Sequence, residues 1–390
     1  MNYQRVSLLF LFLLFMLVPL YYAYEYFARV VEQTGVIRPN ILLISIDTCQ
    51  SGAVGAYGNP DVYTPLMDRL SQHGVLFPRG YAPIPTTGPS HATMMTGRSP
   101  GTHRVFRNAM PYSGRYVTLA TLLRDSGYRT AAFISGYSLT ARTSGLDVGF
   151  DRYDDTWSET QLERDAADTI AACTDWLESM DNSAYFCFLH LFDPHTPYQS
   201  REPYIRMLRH GMKGAVGEDQ PALSPEREQA YAEHVKKARE AGDFMVLVKQ
   251  PMALETDAET LRTHWTAYLS EVSYVDARLT EVVRELQSSG AWQRTAVILT
   301  ADHGEGFDHD YYYAHGDRLW ESAVHVPWIV RFPRDEFGNR IAYAVARHED
   351  IFPTVRSLCN IRLPVVGLEG HDLNHTMQLN LPGMTARWAA

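Results

Sequence analysis

Apolar positions along this chain gather into short unbroken runs separated by longer stretches with helical spacing. The runs at 40–46 (NILLISI), 129–135, 185–191 (YFCFLHL), 295–300 (TAVILT), 326–332 and 341–346 are short and rich in β-branched or aromatic residues. Such runs predict strands buried on both faces. Between them lie the helical stretches. The spacing predicts helices over 64–73, with Pro65 at the first position, and over 89–96, again with a proline near the start. Further helices are predicted over 118–126 (ending at Gly127), 159–180, 261–286 and 351–358. Alternation of this kind predicts an α/β fold, a mostly parallel central sheet with helices on both faces. The stretch 199–259 breaks the rhythm and reads as an inserted helical excursion or lid.

The N-terminus follows a different pattern. Residues 6–20 are almost entirely apolar, interrupted only by Ser7 and Pro19, with Arg5 before them. Tyr21, Tyr22, Tyr24, Tyr26 and Phe27 follow, as suits a membrane–water boundary. The run is shorter than the ~20 residues of a comfortable membrane span, but the aromatic flank extends it. A cleaved signal peptide needs small residues at its cut site, and Tyr21-Tyr22-Ala23 is a poor match. Residues 1–28 are therefore read as an uncleaved signal anchor, a transmembrane segment. The rest of the chain is then extracytoplasmic, in a periplasm or outside the cell.

Composition narrows the function. The chain has 390 residues, 45% hydrophobic and 21% charged, which excludes a disordered or fibrous protein. A net charge of −10 argues against a non-specific nucleic-acid binder, which needs a basic face. The only lysines are Lys213, Lys236, Lys237 and Lys249, all inside the 199–259 stretch. Cationic sites elsewhere must use Arg or His. Cys49, Cys173, Cys187 and Cys359 show no CxxC spacing and read as buried thiols.

Ligands in such folds sit beyond the carboxyl ends of the strands, where this sequence concentrates acids and histidines. Asp47 follows the first strand, Asp193 and His195 follow YFCFLHL, and Asp302 and His303 follow TAVILT. Carboxylates with an imidazole suit one divalent ion: Zn, Mn, Ca or Mg. Asp47 and the Asp302-His303 pair can converge only if their strands are neighbours near the sheet centre. Thr86-Thr87-Gly88-Pro89 lies at the start of a predicted helix. A hydroxyl there meets a positive field and free N–H groups, suited to an anion and an activated nucleophile, although Thr before Pro is also a common helix start. Asp308-His309-Asp310 and Tyr311-Tyr312-Tyr313 read as a second metal site or a pocket wall, with His309 touching substrate. A solvated loop with aromatic packing is the other reading.

Taken in order, ILLISIDT (41–48), PIPTTGPSHATMMTGRSP (83–100), TLATLLRDSGYRTAAFIS (118–135), FLHLFDPHTPY (188–198), YLSEVSYVDARL (268–279), VILTADHGEGF (297–307) and HEDIFPTV (348–355) resemble the sulfatase family of the alkaline phosphatase superfamily. The resemblance covers about residues 38–375, and the family's C-terminal subdomain is expected to be missing, with 376–390 a short tail. It implies Asp47, Asp302 and His303 as metal ligands, joined by Thr87. A second aspartate often adjoins the first in the family; here Thr48 stands there. Thr87 falls where sulfatases carry the Cys or Ser oxidised to formylglycine, and His91 replaces the Arg that closes that motif. His91, His195 and His315 are implied as catalytic groups and Arg107 as a substrate contact. Oxidation of threonine gives a ketone, so no formylglycine is expected. Superfamily members with threonine here resemble phosphodiesterases, phosphonate hydrolases and head-group transferases. The expectation is a membrane-tethered, metal-dependent hydrolase of a phosphate, phosphonate or sulfate ester, lipid- or glycan-linked, with Thr87 as nucleophile. The alternatives are transfer of a phospho-alcohol head group to lipid or glycan, and a non-catalytic binding module.

Overall fold

The computed structural model describes residues 38–157, 163–211, 257–308, 311–379 and 385–387. The anchor expected at 1–28, most of the 199–259 insert, His309 and much of the tail lie outside these residues. Among the described residues no helix is long and apolar enough to cross a membrane.

Among the described residues, nine strands form the central sheet. In chain order they are β1 (Asn40–Ile46), β2 (Val75–Leu76), β3 (Arg129–Phe133), β4 (Arg152–Asp154), β5 (Tyr185–Leu191), β6 (Thr295–Ala301), β7 (Trp328–Arg331), β8 (Arg340–Ala342) and β9 (Thr385–Arg387). They lie side by side as β9–β8–β2–β7–β6–β1–β5–β3–β4. The half around β6, β1, β5, β3 and β4 is wholly parallel. β7 runs antiparallel to both β6 and β2. The mostly parallel sheet expected from the apolar runs is present, and β1, β5 and β6 are buried along their whole length. Strands covered on both faces must be apolar throughout, which is why these three were plain in the sequence.

The principal helices are α1 (Pro65–His73), α2 (Thr87–Thr96), α3 (Leu119–Asp125), α4 (Ala166–Glu178), α5 (Ala258–Ser288) and α6 (Ile351–Leu358). The starts of α2 and α4 and one strand run differ from expectation for local reasons. α2 starts two residues before Pro89. The third helical position needs no N–H, so proline is tolerated there, and Asn108 Oδ1 accepts from Gly88 N at 2.7 Å. α4 begins at Ala166 rather than at 159, because Asp165 caps it by accepting from Ala167 N at 2.9 Å. Glu163, just upstream, bridges to Gly136 instead. The run at 341–346 is not one strand: Arg340–Ala342 joins the central sheet, whereas Ala346–Arg347 pairs with Gly80–Tyr81 in a separate two-stranded sheet.

α5, longer than expected at both ends, packs against α1 and α4. Its Asp276 accepts from Leu66 N (3.0 Å) and Met67 N (2.8 Å), supplying the α1 N-terminus with partners its own Thr64 does not.

Candidate active site

The register of the sheet builds the site. β1 lies between β5 and β6, with Ile46 opposite Leu191 on one side and Ala301 on the other. The residues just beyond these three strands therefore meet at one carboxyl edge. Asp47 comes from β1, Asp302 and His303 from β6, and Asp193 and His195 from β5. The convergence expected of neighbouring central strands is observed.

Asp47, Asp302 and His303 are fully buried, and one potential ligand atom from each falls within 4.8 Å of the others. Asp302 Oδ1 accepts from Thr48 N (3.2 Å) and His303 N (2.8 Å), which fixes the carboxylate against two backbone donors. His303 Nδ1 donates to Gly304 O at 2.9 Å, so its Nε2 is left with a lone pair. That Nε2 lies 3.3 Å from Asp302 Oδ2 and 3.9 Å from Asp47 Oδ1. Asp302 Oδ2 and Asp47 Oδ1 have no hydrogen-bond partner although both are buried. Orphaned carboxylate oxygens facing an imidazole lone pair are costly unless a cation lies between them. Two oxygens and a nitrogen form a donor set for a hard or borderline divalent ion. The residues present fit such a metal.

Electrostatics agree. Burial pushes the Asp47 carboxyl up to about 7, with Glu305 raising it further and His315 opposing. Burial and the adjacent Asp47 push Asp302 well above the carboxylate range. Burial, with His315 nearby, holds His303 well below its usual value and so neutral. Two carboxylates in one dry site must share protons or hold a cation.

Thr87 opens α2 beside this cluster. Its Oγ1 lies 3.5 Å from Asp47 Oδ2 and 3.5 Å from His303 Nε2. Three side chains fasten α2 in place. Asn108 holds Gly88 N. Ser90 Oγ donates to Asp302 O at 2.6 Å and meets His348 Nδ1 at 2.8 Å. His91 Nδ1 donates to Thr87 O at 2.8 Å, while its Nε2 accepts from Ser45 Oγ at 2.9 Å.

The remaining expected residues divide. His315 and His195 belong to the cluster: the His315 ring lies 4.5 Å from that of His303 and 4.9 Å from that of His195. His315 Nδ1 pairs with Glu305 Oε1 at 3.0 Å. Burial lowers the affinity of His315 for a proton, but the Glu305, Asp47 and Asp302 carboxylates outweigh it and raise the pKa. His195 donates Nδ1–H to Thr196 O at 2.7 Å and stacks on Phe192. Burial and the neighbouring His315 push its pKa down to about 3. With Nδ1–H engaged, its Nε2 is left as an acceptor. His91 is fully buried, with both ring nitrogens engaged, and burial holds it well below its usual pKa. Its Nδ1 also lies 3.9 Å from Asp302 Oδ2, so His91 adjoins both Thr87 and the carboxylate cluster. Arg107 is exposed; its backbone lies beside Gly88, but its guanidinium makes none of the contacts that tie the cluster together. His309 lies outside the described residues. Asp308 accepts from Ser322 Oγ at 2.7 Å, and Tyr313 packs with Tyr198, His264 and Phe307, as the aromatic-packing reading has it.

Two functional residues were missed. His190 Nε2 lies 3.3 Å from Asp47 Oδ2, and burial lowers its pKa to about 3. A neutral His190 donating from Nε2 orients the carboxylate. It lies inside an all-buried strand, where alternation gives no sign of which face a residue serves. Glu305 lies within DHGEGF, yet its pairing with His315 spans a loop that spacing alone does not fold.

Comparison with known proteins follows the same geometry. The family model described as Sulfatase matches residues 39–361. An ulvan-active sulfatase from Formosa agariphila is 22% identical, over 89% of this chain and 66% of its own length. An N-acetylglucosamine-6-O-sulfatase from Bacteroides thetaiotaomicron is 22% identical, over 84% of this chain and 69% of its own length. This chain thus spans about two thirds of the length of these relatives. Among solved structures, the phosphonate monoester hydrolase of Agrobacterium radiobacter superposes with a TM-score of 0.68 at 24% identity, covering 89% of this chain and 78% of that one.

Proposed function

Because this chain belongs to the sulfatase family, we propose that it is a metal-dependent hydrolase of singly charged sulfate, phosphonate or phosphate esters, with the Thr87 hydroxyl as nucleophile. The observation that carries this reading is Thr87 Oγ1, 3.5 Å from both Asp47 Oδ2 and His303 Nε2, beside two orphaned carboxylate oxygens. Asp47, Asp302 and His303 would hold the metal, which when bound supplies Lewis acidity and offsets the charge of the ester. A threonine yields a ketone on oxidation, so the hydroxyl itself must act.

The chain's own groups provide the rest. Thr87 Oγ attacks sulfur or phosphorus, and Asp47 Oδ2, 3.5 Å away, accepts its proton, His303 Nε2 being taken up with the metal ligand set. The bond to the leaving oxygen breaks as His315, kept protonated by Glu305, donates a proton to that oxygen. Water then attacks sulfur or phosphorus, neutral His195 Nε2 accepts its proton, and the bond to Thr87 Oγ breaks as Asp47 returns the proton it took. Charge balance supports a singly charged ester. Asp47, Asp302 and Glu305 are all buried, and the one cationic imidazole of the cluster, His315, is already paired with Glu305. A doubly charged phosphate monoester finds little compensation among the described residues. The names of the relatives, which act on ulvan or N-acetylglucosamine 6-sulfate groups, support a sugar as the organic part.

The test is a panel of an aryl sulfate, an aryl phosphonate monoester and an aryl phosphate, run with wild-type protein and Thr87→Ala. Thr87→Ala is expected to lower kcat by roughly 10³-fold or more with bound metal unchanged. Retained turnover would overturn the assignment. We also propose that residues 1–28 anchor the enzyme with its active site outside the cytoplasm. Protease protection of the body in spheroplasts would contradict this.

A further inference from the structure

Cys173 lies on the buried stripe of α4, formed by Ala166, Thr169, Ile170, Cys173 and Leu177. That stripe faces β5, whose Cys187 is also fully buried. The two sulfurs are 3.5 Å apart and fourteen positions apart in sequence. A disulfide bond is about 2.0 Å long, and its closure needs the thiols to be on facing elements at side-chain contact. The helix–strand packing already supplies that, with no intervening side chain.

We propose that Cys173 and Cys187 form a disulfide when the chain folds in the presence of a disulfide oxidant, stapling α4 to the strand that carries His190 and leads to Asp193 and His195. The step is a two-electron oxidation. Each thiol loses a proton, one S–S bond forms, and the electrons reduce the oxidant's disulfide to two thiols. A glutathione disulfide or an exported thiol oxidoreductase is such an oxidant. Both thiols are shielded in the folded chain, and burial pushes the Cys187 thiol well above its usual pKa. Oxidant therefore reaches the pair before α4 docks, not afterwards. The short separation favours this order, because the helix and strand that carry the cysteines are consecutive elements.

The inference does not depend on the hydrolase assignment, and its readout is chemical. The full chain is refolded in a buffer of oxidised and reduced glutathione, alkylated under denaturing conditions, and digested without reduction. A cross-linked peptide pair holding Cys173 and Cys187, which separates on reduction, is expected. The oxidised chain is also expected to melt roughly 5 °C above the reduced chain, a difference that Cys187→Val removes. Recovery of Cys173 and Cys187 as separate alkylated peptides from refolded protein would overturn the proposal. A cross-link joining either one to Cys49 or Cys359 would do the same. Cys49→Ser serves as the control and keeps the Cys173–Cys187 pair.

Discussion

His91 is a buried imidazole with a fixed tautomer. Thr87 O can only accept, so Nδ1 carries the proton, and Ser45 Oγ donates to Nε2. His91→Phe leaves the Ser45 hydroxyl and the Thr87 carbonyl without this partner inside the core. A loss of about 2 kcal/mol in urea unfolding is expected, together with a lowered kcat as the first turn of α2 loosens. Glu305 acts on His315 by charge. His315 is cationic below its raised pKa, so a rate that needs the protonated ring falls as pH climbs through that value. Glu305→Gln should move this alkaline limb of kcat/KM toward lower pH; a profile that stays in place would remove His315 from the proton-donor role. At this scale the sequence disclosed residue types and strand ends but not orientation. Asp47, Asp302 and His303 were legible because they lie within two residues of the end of a buried strand. The orientation of His91 was not legible, because α2 is buried on every side and no polar face marks which of its residues look toward the pocket.

Two glycines show what the elements demand of their ends. Gly97 ends α2 with φ +64°, and a Cβ there would stand 2.8 Å from Phe352 Cβ. Gly97→Ala is expected to cost about 2 kcal/mol in stability, measured by denaturant unfolding. Gly304 follows His303, and a Cβ on it would approach Ser322 O to 2.0 Å. Gly304→Ala must shift the backbone that carries His303. Reduced metal content with a preserved far-ultraviolet dichroism spectrum is expected, and unchanged metal content would show that His303 does not depend on this turn. Long periodic elements were read well from the pattern of the chain. Their starts were not, because α1, α2 and α4 take their N-terminal partners from Asp276, Asn108 and Asp165, the first on α5 and the second in a turn remote in sequence. Strand pairing across two sheets, as at 340–347, was likewise hidden, since both pieces share one apolar run.

For the whole molecule the paired carboxylates predict how stability responds to pH when metal is stripped. Asp47 has a folded-state pKa near 7 against an ordinary 3.8. Between these values the folded chain holds more protons than the unfolded one, so stability falls as pH rises. Metal-free protein should therefore melt lower at pH 8 than at pH 5. Restoring a divalent ion should raise the melting temperature most at the higher pH, where it replaces the lost proton. Thermal scans with and without chelator at both pH values check this; equal melting temperatures in all four samples would show that the pair holds no cation.

The meeting of β1, β5 and β6 also makes the order of folding visible. Thr48 N and Asp302 Oδ1 are bonded across 254 positions of sequence. Contacts of such range close late, because a long loop of chain must be ordered before they form. No fragment that lacks either strand can present the full ligand set. On the proposed metal site, capture of the ion would therefore be a clock for the last non-local step of folding. In refolding followed by a metal-sensitive dye, uptake should lag the recovery of helical signal and coincide with the return of activity.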